Sequence, residues 1–333
     1  MHAVGITGKA SRAALVAGTI ALTFGLSGCA LTTPTLAEVE RERVEPVLGA
    51  ADLVNEGHLT VAMNTADAPQ AMTDSEGSPA GYYADVARAL AEDMGLDLKV
   101  VSTANASGAI SDGKADIYIG SRLADAGDTL DVTEAIVEDA SSIFARAEGD
   151  SQAAPQLDAA DLSGSVIAVQ GDSASQDALM RGGVDASLKT YPNVNKCFEA
   201  LDAGEVDYVA CDATAGAYLA RAYPGTVFVA TVGPLTSYGV ALPAQGSALA
   251  DAVTGSLAAL ASSGRLDAIY RHWYGALPVG LGDAGLPGLE ARAGDEEDGE
   301  LASDDGSMQG GSAYDGGATG DGAPSHDSMN SIG

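Results

Sequence analysis

The chain has 333 residues, 46% of them hydrophobic, which suffices for a sizeable core in one large or two medium domains. Aromatics make up only 5%, so Ala, Val, Leu and Ile must build that core. Lys and Arg number 16 against 47 Asp and Glu, a formal net charge of -31. That balance argues against a nucleic-acid partner, because phosphate binding needs clustered cations. It leaves solubility in a salty or surface-exposed setting, or an acidic surface that attracts cationic ligands.

Residues 1–29 read as a lipoprotein signal peptide. Lys9 and Arg12 supply a positive start, and Ala13 to Leu26 is an apolar run too short to span a bilayer comfortably. The run ends in Leu26-Ser27-Gly28-Cys29, which resembles a lipoprotein processing site. Small residues fit the peptidase, and the thiol of Cys29 would take the diacylglycerol, with palmitate completing the membrane anchor. An ordinary signal peptide with a chance cysteine is the alternative. No later segment has the length and apolarity of a transmembrane helix. The expected location is therefore the extracytoplasmic face of the cell membrane. Residues 30–56 form a tether, with Thr32-Thr33-Pro34-Thr35 followed by alternating Glu and Arg from Glu38 to Glu45.

From residue 57 to 275 strands alternate with helices. Leu59 to Met63 is a predicted strand, and Asp85 stands where an N-cap would. Val86, Leu90 and Met94 share one helical face before Gly95 as C-cap. Leu98 to Val101 and Ile117 to Ile119 are the next strands. After a polar break at Glu148 to Ala160 come a strand at Val166 to Val169 and a helix at Ser175 to Arg181, capped by Gly182 or Gly183. A strand at Val206 to Cys211 and a helix at Ala213 to Ala222 follow. Leu266, Ile269, Tyr270 and Trp273, three and four apart, read as a packing stripe. Residues 276–333, rich in Gly, Ser and Asp, read as an acidic disordered tail.

Ile110 to Ile119 is echoed by Leu201 to Ala210. Each reads as a helix end, a glycine cap, an acidic residue and a buried strand. Two copies about 90 residues apart suggest two α/β lobes on one plan, each a mostly parallel sheet flanked by helices. Ligands on such sheets bind beyond the carboxyl ends of the strands, so a cleft between the lobes is the expected site. With Cys29 carrying lipid, Cys197 and Cys211 remain as a pair in an oxidising compartment. Cys197 is expected to open a helix and Cys211 to end the next strand, close enough for a disulfide; two buried free thiols are the alternative.

Gly81 to Leu90, Gly113 to Ile117, Leu130-Asp131-Val132-Thr133, Asp161 to Gly164, Ile167 to Gly171, Gly204 to Asp207, Cys211-Asp212 and Ile269 to Gly275 occur in an order that resembles the extracellular solute-binding proteins of family 3. These are the amino-acid-binding lipoproteins of ABC importers, and the resemblance covers Gly57 to Gly275. It implies a two-lobed type II periplasmic-binding-protein fold. Residues 57–145 and 238–275 would make the first lobe and 146–237 the second, with crossing strands at Ser142 to Arg146 and Tyr238 to Leu242. It also implies capture of a small polar solute, an amino acid or cationic amine, for delivery to ABC permease subunits, with no cofactor.

Carried over position by position, the resemblance assigns Gln170, Asp172 and Ser173 to the turn that receives a ligand carboxylate at a helix N-terminus. Ser173 or Asp172 as a plain N-cap is the other reading. Asp212 matches the aspartate that pairs with a ligand ammonium, against capping of the next helix. In the first lobe the loop Ala66-Asp67-Ala68-Pro69-Gln70 lacks the family's aromatic residue, and Asp67 adds negative charge instead. No arginine stands at the family's carboxylate-binding position near Ala126. Arg122, beside Ser121, is the nearby substitute, or else a surface arginine pairing with Asp125 or Asp128. Tyr83 is a candidate for stacking on the ligand, while Tyr82 reads as core. A ligand-gated surface receptor of the same fold and a dehydratase-like enzyme are the competing functions. The second lacks support from the scattered His2, His58, His272 and His326, which form no triad or metal spacing.

Overall fold

The computed structural model describes residues 45–148, 153–243 and 247–289. The signal segment with Cys29, the charged stretch before residue 45 and the chain beyond residue 289 lie outside them. The described elements, in chain order, are β1 (His58–Met63), β2 (Met72–Thr73), β3 (Pro79–Ala80), α1 (Tyr82–Asp93), β4 (Asp97–Ser102), α2 (Ala106–Ser111), β5 (Ile117–Arg122), β6 (Leu130–Val132) and β7 (Val137–Asp139). Next come β8 (Ser141–Arg146), β9 (Val166–Gln170), α3 (Ala174–Arg181), β10 (Ser187–Tyr191), α4 (Val194–Asp202), β11 (Tyr208–Asp212) and α5 (Ala213–Ala220). Finally there are β12 (Thr226–Thr231), β13 (Thr236–Pro243), α6 (Ala248–Ser262) and α7 (Arg265–Tyr274).

The two main sheets are copies of one plan. The first runs β4-β1-β5-β13-β6, with β7 also on β13, and the second runs β10-β9-β11-β8-β12. In each, the first three strands are parallel and the fourth is antiparallel to both neighbours. That fourth strand comes from the far side of the lobe crossing: β8 follows β7 directly, and β13 follows β12. The chain changes sheets at Ala140 and again between Thr231 and Thr236. Ser142 to Arg146 therefore already belongs to the second sheet, and Tyr238 to Leu242 to the first. The sheets are parallel in one half and antiparallel in the half next to the crossings.

The repeated sequence element does the same work in both lobes. Asp116 accepts from Thr60 N at 2.6 Å and donates its own N–H to Thr60 O at 2.8 Å. Asp207 accepts from Val166 N at 2.8 Å and donates its own to Val166 O at 2.9 Å. Each aspartate thus fixes the start of the central strand on its own lobe. β1 is buried from Leu59 to Met63, as expected of a strand covered by helices on both faces. Asn105, Ser173, Asn193 and Ser247 cap α2, α3, α4 and α6 by accepting a first-turn N–H.

Several expectations need correction. Helix α1 starts at Tyr82 after Gly81, so Asp85 is no cap. It lies in the first turn, pairs with Arg88 and accepts from Trp273 Nε1 at 2.8 Å, tying α1 to α7. Gly95 follows the helix with φ 71 but the C-cap is Met94. Cys197 and Cys211 form no disulfide; both are free and buried. Cys197 lies inside α4, not at its start, and donates to Asn193 O at 3.5 Å. Cys211 points at α5, where a Cβ on Gly216 would meet its sulfur at 2.8 Å. Burial pushes the Cys197 thiol up to about 11 and Cys211 well above its usual range. The four-residue stripe on α7 packs as expected, with Tyr270 fully buried and Leu266, Ile269 and Trp273 half-buried against the core.

The acidic tail does not begin at residue 276. Leu277, Leu281 and Leu286 are buried, and the segment runs from the first lobe to the second. Tyr270 OH donates to Pro278 O at 2.7 Å and Leu281 N to Glu138 Oε2 at 2.8 Å. Thr231 N then donates to Ala284 O at 2.7 Å, and Leu286 N to Thr231 O at 2.9 Å, a parallel bridge on the edge of β12. Three leucines spaced along a Gly- and Pro-rich stretch give no helical or strand period, so composition alone hides this strap. Among the described residues no helix is long and apolar enough to cross a membrane.

Candidate functional site

The second-lobe wall of the cleft is built where β9 and β11 end. β9 finishes at Gln170, and Gly171-Asp172-Ser173 turns the chain into α3. Asp172 adopts the left-handed region, φ 57, and its N–H donates to Gln176 Oε1 at 2.9 Å. Ser173 Oγ accepts from Gln176 N at 3.2 Å, so this hydroxyl is an N-cap, with its own proton left to donate. The Asp172 side chain is exposed.

Asp212 ends β11 and occupies the N-cap position of α5, yet its carboxylate makes no cap bond. The reason lies 75 residues away. Asp139, at the end of β7, accepts from Thr214 N at 3.2 Å and from Thr214 Oγ1, while Ala140 O accepts from Ala213 N at 2.9 Å. The lobe crossing thereby satisfies the first-turn donors of α5 and frees Asp212. Gln70 Nε2 donates to Thr214 Oγ1 at 2.5 Å, so Thr214 receives contacts from the loop after β1 as well. Burial pushes the Asp139 carboxyl up to about 6, against the lowering effect of the Thr214 bonds.

Asp67, in the loop after β1, faces Asp212 electrostatically. Partial burial and then the Asp212 charge raise the Asp67 carboxyl above its ordinary value, and burial does the same for Asp212. Tyr83 is buried, its ring lying against Gly120, where a Cβ would come within 2.6 Å of Cε2. Gly120 has φ 97, so the end of β5 takes a shape and an approach that only glycine allows. Burial first, then Asp67, holds the Tyr83 phenol well above its usual range. Tyr82 is core, as its position suggests, with its hydroxyl donating to Ile136 O at 2.6 Å. Ser121 is buried and its hydroxyl has no partner among the described residues. Arg122 is exposed, with its guanidinium held by Asp125: Nη2 to Oδ1 is 2.9 Å.

Two cavities adjoin along the second-lobe wall. One, of about 140 Å³, is lined by Gln170, Ser173, Ser175 and Asp212 among others. The other, of about 280 Å³, is lined by Asp139, Ser141, Arg181, Asp212, Thr236 and Tyr238, with Ala174 and Asp212 common to both. Gln170, Ser173 and Asp212 thus come together as sequence reading expects, while Arg122 is pinned to its own turn and Tyr83 is packed. Asp139, Thr214, Gln70 and Arg181 escaped that reading. Only Gln70 had a local signal, as the end of the anomalous loop; Asp139 and Thr214 depend on a contact across 75 residues, and Arg181 on a cavity it shares with residues 31 to 57 positions away. Among the described residues no group of His, Cys, Asp and Glu is arranged to hold a metal ion.

Solved structures share this architecture. The L-cystine solute receptor of Neisseria gonorrhoeae, in its unliganded open conformation, aligns with a TM-score of 0.55 at 18% identity, over 67% of this chain and 95% of that one. A polar amino acid ABC uptake transporter substrate-binding protein from Streptococcus thermophilus gives 0.59 at 16%, over 67% and 88%. An ancestral cationic amino acid solute-binding protein gives 0.54 at 23%, over 66% and 96%. These likenesses concern the fold. No curated protein matches the chain. Residues 59–276 match the family described as bacterial extracellular solute-binding proteins, family 3. Both lobes, both crossings and the cleft between them lie within that span, and the chain belongs to this family.

Proposed function

We propose that the protein is a lipid-anchored, extracytoplasmic receptor that captures a small polar solute, an amino acid or a related amine, and hands it to an ABC importer. The observation that carries the ligand class is the Asp212 carboxylate, released from capping because Asp139 does that work, and raised by burial opposite Asp67. Asp67 raised in part by the Asp212 charge, and Asp212 raised by burial, are both relieved by one ammonium placed between them. The N-terminus of α3 beside Ser173 offers the complementary end for a carboxylate. Neighbours named for cystine, polar amino acids and cationic amino acids support the same class.

Delivery follows from closure. A ligand held by Asp67 and Asp212 touches both lobes only when they approach, so it shifts the open–closed equilibrium by its contacts to the closed form. The anchor rests on Cys29 and its preceding Leu26-Ser27-Gly28, which would keep the receptor beside the membrane. The test is a thermal-shift screen of the full chain against amino acids and polyamines. A ligand at a hundred times its Kd stabilises the folded state by about 2.7 kcal/mol, a readily seen rise in Tm. Asp212→Asn should remove that rise. A hit whose shift survives Asp212→Asn would place binding elsewhere.

A further inference from the structure

The family's carboxylate-binding arginine is missing from the first lobe, and Arg122, its nearest substitute, is turned to Asp125. The 280 Å³ cavity nevertheless has an arginine in its lining, at an exposed position. Arg181 lines it from the last turn of α3, in line with Ala174 and Ala178 on the face that the helix turns to the lobe crossing. Its place at a helix C-terminus suits a cation, which explains its stability there but not its presence on a cavity wall. No hydrogen bond or ion pair engages it among the described residues.

The acids that share the cavity do not neutralise it. Asp139 is committed to Thr214 and the Ala140 N–H. No ion pair joins Arg181 to Asp212 among the described residues. One cavity lining therefore carries two charges of opposite sign that do not pair with each other. A diamine would satisfy Asp212 and leave a cation against Arg181. A zwitterion satisfies both.

We propose that Arg181 is the anion anchor of the cleft. It binds a carboxylate of the ligand whose ammonium rests on Asp212, and it selects amino acids over polyamines. This rests on the reading of the cleft given above and assigns to the second lobe a role that its relatives' pattern places on the first. The fork of donors suits a carboxylate in two-point contact, which lysine reproduces only as a point charge.

The experiment titrates the full chain calorimetrically with matched pairs that differ by one carboxylate: lysine and cadaverine, arginine and agmatine, glutamate and 4-aminobutyrate. The wild-type chain should bind at least one amino acid at least tenfold more tightly than its decarboxylated partner. Arg181→Ala should erase that gap by weakening the amino acid, Arg181→Lys should recover part of it, and both should leave the ligand-free chain folded. Loss of binding in Asp212→Asn with unchanged affinities in Arg181→Ala overturns the anchor and leaves the cleft reading intact. So does an amine that binds the wild type as tightly as its amino acid. Binding that survives Asp212→Asn, or no binding by any pair, overturns both.

Discussion

Thr214 makes three hydrogen bonds to two residues outside its own helix. Gln70 donates to its hydroxyl, that hydroxyl donates to Asp139, and its N–H is capped by the same carboxylate. Asp139 is thereby a stability switch with a defined sign. Its folded-state value of about 6 lies above the ordinary 3.8, so the folded chain binds a proton more tightly than the unfolded one. Stability contributed by this group is absent near neutral pH, appears as pH falls through 6, and is complete below about 4. A half-buried carboxyl with this shift gives about 2 kcal/mol over that window once solvent screening is allowed for. Asp67 and Asp212 are displaced in the same direction, so they add to the trend. Urea unfolding of the ligand-free chain at pH 4.5 and pH 7 should show the lower pH as the more stable, and Asp139→Asn should narrow the difference. Ligand capture runs the other way: an ammonium needs ionised carboxylates, so its affinity should rise from pH 5 to pH 7, which calorimetry at the two pH values would register.

At the scale of elements, the strap after α7 makes the sharpest energetic claim. Leu286 is 3% exposed and packs with Leu162, Ile167 and Val232 of the second lobe. Leu286→Ala should cost about 2–3 kcal/mol, a lost side-chain transfer plus a residual cavity. A denaturation midpoint within error of wild type would show that the strap adds no stability. The strap also marks the limit of what pattern reveals. Buried strands announce themselves by mostly apolar runs, as in Leu59 to Met63 with its one threonine, and the paired Asp116 and Asp207 betray the duplicated lobe because each acts within its own sheet. The start of α1 was misplaced because Asp85 mimics a cap, while Gly81, lacking a side chain, gives no capping signal. Cys197 and Cys211 suggest a bridge by spacing and compartment, but side-chain direction is set by how α5 packs at Gly216, which sequence does not display. For the cleft, Ser173 and Asp212 were legible as residues that follow strands. The reason Asp212 is free was not, since its helix is capped by a residue on the other side of the lobe crossing.

Over the whole molecule, the lobes are joined by more than their two crossing strands. The largest apolar cluster contains Leu90, Tyr270 and Tyr274 from the first lobe and Phe144, Phe198 and Ala217 from the second. Across this seam Tyr218 on α5 stacks on Trp273 of α7 with ring centroids 5.9 Å apart, and Arg221 donates to His272 O at 2.7 Å. A stacked aromatic pair adds about 0.5–1.5 kcal/mol beyond the area it buries, and here that increment acts between lobes. Two domains linked only by a flexible hinge unfold independently; two that share a core lose it together. Calorimetry of the ligand-free chain should therefore give one transition whose calorimetric and van't Hoff enthalpies agree. Trp273→Ala removes the stack and the bond to Asp85 together, and should split the endotherm into two or drive the van't Hoff value below the calorimetric one. Tyr218→Ala removes only the second-lobe partner and leaves α7 tied to α1, so a split with both variants assigns the effect to the seam. Two resolved transitions in the wild-type chain would mean that the shared cluster contributes too little to couple the lobes, and that the hinge strands alone hold the cleft together.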